Sequence, residues 1–80
     1  MALFGRKKAV VERMDFQTFK AKYNKIAHGA EVIIEEPSDE YYTLATFKKE
    51  LDETTYRYAC NVTGEVQEVN GMLSAKCYKL

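Results

Sequence analysis

The sequence is poor in the residues that build most recognisable sites. It has one histidine, two cysteines, one proline and four glycines in 80 residues. His28 with Cys60 and Cys77 offers at most three soft ligands. A structural zinc site needs four, with a close-spaced cysteine pair that does not occur here. Neither cysteine stands at the start of a helical pattern, where a thiolate would be stabilised, so a Cys–His nucleophile is not indicated. Gly5, Gly29, Gly64 and Gly71 are dispersed one per boundary, so no glycine-rich phosphate loop exists. The carboxylates Glu35, Glu36, Asp39 and Glu40 flank Pro37 without the spacing of a calcium-binding loop. They read as a solvated turn. The reading is a protein that is not an enzyme and carries no cofactor or metal.

Long apolar runs are also missing. No stretch approaches the roughly 20 apolar residues of a membrane span. At the N-terminus the cations follow the apolar pair Leu3-Phe4, the reverse of a secretory leader. The expected location is therefore cytoplasmic, with both thiols reduced and partly buried. Apolar residues make up 46% and charged residues 30%, a composition that folds into one small domain over residues 1–80. Residues 1–8 read as a flexible basic arm.

Net charge is zero, yet its distribution is uneven: +5 over residues 1–28 and −5 over residues 29–80. Such asymmetry fits either an acidic partner or complementarity within the fold.

The local patterns point to an α+β fold. Asp15 suits a helix N-cap, and Phe16, Phe19, Tyr23 and Ile26 follow at steps of three, four and three. The spacing predicts a helix from Phe16 to Ala27, closed by His28-Gly29. Val10, Val11 and Met14 fall on the opposite side of that helix, so residues 8–13 form either a short extra strand or an irregular arm. From Gly29 the period changes to two. Residues 31–36, 41–48 and 54–61 read as strands, with a turn at 37–40 and a softer one at 49–53, although a helix over 46–52 is also compatible. Asn70-Gly71 predicts a type I′ hairpin pairing Val69 with Met72, Gln67 with Ser74, Glu65 with Lys76, Glu68 with Leu73, Val66 with Ala75 and Gly64 with Cys77. Val66, Leu73, Ala75 and Cys77 would face inward. The expectation is one N-terminal helix packed on an antiparallel meander of about five strands.

Two binding surfaces follow from this reading. An exposed sheet edge, or a sheet face carrying Tyr56, Tyr58 and Tyr42, would meet a protein partner, self-association included. Alternatively, Arg6, Lys7 and Lys8 with Lys20, Lys22 and Lys25 would contact nucleic acid. The acidic balance of the sheet segment disfavours phosphates, and the basic-glycine-aromatic signature of sheet-borne RNA readers does not occur.

Overall fold

A computed structural model describes residues 11–80. The expected arm at 1–8 and the start of the 8–13 segment lie outside them. The chain runs β1 (Glu12–Met14), α1 (Phe16–Lys22), a 3₁₀ turn (Tyr23–Lys25), β2 (Glu31–Pro37), α2 (Leu44–Arg57), β3 (Cys60–Val69) and β4 (Met72–Lys79). The four strands form one mixed sheet in the order β1-β2-β4-β3. The α+β class holds; the five-stranded meander does not. Strand β1 overlaps the 8–13 segment only at Glu12 and Arg13, and it pairs parallel with β2, Met14 opposite Ile34. A parallel pair needs a crossover, and α1 supplies it.

Helix α1 starts as Asp15 dictates. The Asp15 backbone is extended, and its carboxylate accepts the Thr18 N–H at 2.8 Å. Hydrogen bonding from Thr18, its backbone N–H first and its side chain second, holds the Asp15 carboxyl below its ordinary value of 3.8. Glu36 of β2 accepts the Phe16 N–H at 3.0 Å, tying a second free donor of the first turn to the sheet. The helix ends earlier than the apolar spacing predicts. Its α geometry stops at Lys22, one 3₁₀ turn follows, and Ile26 is already extended. Beyond that end the Lys79 ammonium, from across the molecule, donates to the carbonyls of Tyr23 (2.9 Å) and Ile26 (2.8 Å), the former also accepting the Ile26 N–H. Nor does His28 cap this helix. Its Nδ1–H donates to the Leu80 carbonyl at 2.7 Å, at the end of β4.

The largest correction concerns residues 41–48 and 54–61. Residues 44–48 of the first segment and 54–57 of the second belong to the single helix α2, the expected turn at 49–53 is its middle, and only Cys60 and Asn61 are in a strand. Leu44, Phe47, Leu51 and Thr54 recur at helical spacing and turn towards the core. Tyr and Thr content suggested strands, but tertiary packing overrides that preference. Helix α2 lacks the usual glycine stop. Ala59 takes the left-handed position after its C-cap, at φ 43°.

Alternation along the strands divides the sheet into two faces. Val32 and Ile34 of β2 with Leu73, Ala75 and Cys77 of β4 face the helices and join Phe16, Phe19, Phe47 and Leu51 in one core. The Phe16 and Phe47 rings meet at 5.2 Å and link α1 to α2. Residues of the other register, among them Glu35, Ser74, Lys76 and Tyr78, point to the open face. The expected inward face is correct for Leu73, Ala75 and Cys77, and Val66 packs at its margin.

The hairpin turns as expected, with positive φ at Asn70 (52°) and Gly71 (76°). Val69–Met72, Glu68–Leu73 and Gln67–Ser74 pair as the two-residue loop requires. Beyond them the register slips. Gly64, Glu65 and Val66 together occupy the space opposite Ala75, so Thr63 faces Lys76 and Val62 faces Cys77. The expected pairs Glu65–Lys76, Val66–Ala75 and Gly64–Cys77 are thereby overturned. Gly64, at φ 79°, makes a bulge inside one long strand rather than a turn between two.

Candidate functional site

The tyrosines expected on a sheet face are on the helical layer. Tyr56 projects from the last turn of α2 and is 91% exposed. Tyr58, the C-cap, is half-buried, its ring edge-on to Phe19 (6.2 Å) and Tyr23 (5.3 Å). Tyr42 lies in the loop before α2. The Asp39 carboxylate gathers the N–H groups of Tyr41 and Tyr42, and the Tyr42 hydroxyl donates to Glu50. Burial, then that hydrogen bond, then the charges of Glu50 and Glu36 raise the Tyr42 phenol above its ordinary value of 10.

An open hollow of about 730 Å³ lies between Lys20 of α1 and the polar side of α2 and brings Tyr56 and Tyr58 together with Lys20. On the α2 side its wall is a polar stripe. Thr46, Lys49, Glu50, Glu53 and Arg57 recur at helical spacing, beside the buried stripe of Phe47, Leu51 and Thr54. The helix is thus amphipathic with its charged side towards this hollow. Lys20, Lys49 and Arg57 make no ion pair within 4.0 Å among the described residues, where the ion pairs are Arg13–Glu35 (2.6 Å) and Lys22–Glu12 (3.0 Å).

The three cations of α1 and the turn after it do not form one surface. Lys20 faces α2, whereas Lys22 and Lys25 border a smaller hollow of about 200 Å³ beside β1 and β2. Arg6, Lys7 and Lys8 lie outside the described residues.

The second candidate is backbone. Among the described residues, strand β3, like β1, is an outer strand of the sheet. The Leu80 N–H donates to the Ala59 carbonyl at 3.0 Å, which sets the phase of the ladder. Antiparallel pairs alternate, so Asn61 and Thr63 direct their N–H and C=O groups to β4, and Cys60 and Val62 direct theirs away from it. Val62 is 37% exposed, whereas Cys60 is buried.

Two features escaped sequence reasoning. One is the hollow, whose signal was the helical spacing of the α2 charges. The other is Lys79, buried to 7% exposure, with its ammonium 4.2 Å from the Tyr23 ring centre. Alternation along β4 places Lys79 on the face of Leu73, Ala75 and Cys77, and that pattern was available in the sequence.

Cys60 and Cys77 are buried thiols. Burial, with Cys60 nearby, pushes Cys77 up to about 12. Burial also raises Cys60, against the opposing pull of Lys79. Neither is poised as a thiolate nucleophile. Among the described residues no three His, Cys, Asp or Glu side chains converge as metal ligands. No helix there is long and apolar enough to cross a membrane. No family model, curated protein or solved structure matches this chain.

Proposed function

We propose that this chain is a non-catalytic binding protein that engages a protein partner by strand addition at the outer edge of β3. The observation that carries this reading is the β3 edge, unpaired among the described residues: Val62 directs its backbone donor and acceptor away from β4, next to the buried Cys60. An extended segment pairing there gains main-chain hydrogen bonds, and side chains flanking the edge supply selectivity. The bulge at Gly64–Val66 and the charges of Glu65 and Glu68 interrupt the edge further along. Such features restrict indiscriminate pairing, and they confine docking to the stretch before Gly64. Nucleic-acid binding through α1 has less support, because Lys22 is paired with Glu12 and Lys20 faces another side from Lys25.

Proline separates the two sides of the strand. Val62→Pro removes an N–H that points outward, which an edge strand tolerates. Thr63→Pro removes one that points into the ladder and should unfold the hairpin. Proteins captured from the native cell extract by the parent chain should be lost with Val62→Pro while its melting temperature stays close to the parent's. Hydrogen exchange of residues 60–64 should slow when the partner binds. A partner that binds Val62→Pro unchanged, or leaves that exchange unaltered, refutes edge docking. Sedimentation of the isolated chain at rising concentration shows whether the partner is a second copy.

A further inference from the structure

The hollow between α1 and α2 belongs to a different surface from the β3 edge, and its chemistry is more specific. We infer that it is a docking groove for an acidic peptide segment in extended form. Three cations surround it: Lys20 on α1, and Lys49 and Arg57 on α2. None is neutralised by an ion pair within 4.0 Å among the described residues. This holds although Glu53 stands four residues from both Lys49 and Arg57 on the same helix, the spacing at which helix pairs form. The cations are thus held around an open space of about 730 Å³ without being consumed by their neighbours.

The wall also excludes alternatives. Glu50 and Glu53 sit in it, and Glu50 already accepts the Tyr42 hydroxyl. A polyanion such as a nucleic-acid strand repeats its charge at every unit and must bring phosphates against those carboxylates. A peptide does not. Its acidic side chains pair with Lys20, Lys49 and Arg57, and its backbone N–H groups donate to Glu53. Tyr56, almost fully exposed, and the outer edge of Tyr58 offer rings for an apolar side chain between the acidic ones. Both signs of charge in the wall are then used. The guanidinium of Arg57 suits bidentate pairing with a carboxylate, and Lys20 and Lys49 act as point charges.

The probe is a blocked octapeptide of alternating Glu and Leu, titrated into the isotope-labelled full chain and followed by amide NMR shifts. Saturable shifts should concentrate at Lys20 and over residues 46–58, leaving β3 beyond Gly64 unmoved. Lys49→Glu and Arg57→Gln are exposed positions away from the core. Each should weaken the probe about tenfold, a typical consequence of losing a charge pair at an interface, with the melting temperature kept within a few degrees. A blocked octapeptide of alternating Lys and Leu should not bind. Several results overturn the inference: no saturable shift, shifts centred on another surface, equal binding of the Lys-Leu peptide, or affinity unchanged in both variants. Tighter binding of a single-stranded oligodeoxynucleotide at the same amides would also overturn it and make the groove a nucleic-acid site. Val62→Pro leaves this groove intact, so loss of edge docking and loss of groove binding are read separately.

Discussion

Replacing Lys79 tests the contact that joins the end of the chain to the end of α1. Its ammonium donates to the Tyr23 and Ile26 carbonyls and lies over the Tyr23 ring. Hydrogen bonds with a charged partner contribute roughly 1.5–3 kcal/mol each. The cation–π contact adds about 0.5–2 kcal/mol. The gross stabilisation is therefore on the order of 4–8 kcal/mol. Against it stands the cost of taking an ammonium out of water, several kcal/mol for a side chain this buried. Lys79→Met keeps the stem packing and removes both the charge and its desolvation. It also leaves the Ile26 carbonyl without its donor and the Tyr23 carbonyl with only the Ile26 N–H. We expect a net loss of about 1–3 kcal/mol. Lys79→Ala additionally removes three buried methylenes at about 0.8 kcal/mol each, so its loss should reach roughly 3–5 kcal/mol. A domain of this length has a total stability of only about 4–12 kcal/mol. Urea denaturation followed by circular dichroism measures both variants, and hydrogen exchange at residues 23–28 localises the effect. If Lys79→Met is as stable as the parent, or more so, the ammonium does not hold the end of α1. Its attraction would then only offset its own desolvation.

Two further substitutions probe how the helices begin and end. Ala59 adopts a left-handed conformation, so Ala59→Gly should be neutral or stabilising by up to about 1 kcal/mol, the reverse of the usual cost of glycine in ordered structure. A urea midpoint that falls by the usual amount would show that Ala59 is unstrained. Asp15 has a lowered carboxyl pKa in the folded state. Its stabilisation is therefore full above the unfolded value of 3.8 and fades as pH falls through the lower folded value. Asp15→Ala should be less stable than the parent near neutral pH, and the gap should narrow steadily in acid. A gap that is the same at about pH 2 and about pH 7 would mean that the ionised cap is not its source.

Elements governed by a local rule were legible from the amino-acid order. Asp15 starts a helix because its carboxylate meets a backbone N–H three residues away. Asn70-Gly71 turns the hairpin because both residues reach positive φ, and its first pairs then follow. The inward set Leu73, Ala75 and Cys77 follows from strand alternation alone. What needed the tertiary structure depended on distant partners. Helix α2 carries tyrosines and threonines that favour strands, and it stays helical because Phe47 and Leu51 are buried in the core shared with the sheet. Lys79, 56 residues from Tyr23, donates to the carbonyls just beyond the early end of α1, a partner no local spacing announces. The slip at Gly64 is invisible to a pairing rule that counts from the turn, since a bulge changes the count midway. The tyrosines were identifiable as residues but not as a surface. Only the packing of α1 beside α2 places Tyr56 and Tyr58 with Lys20 around one hollow, because charges far apart in sequence become neighbours only once the core between them is buried.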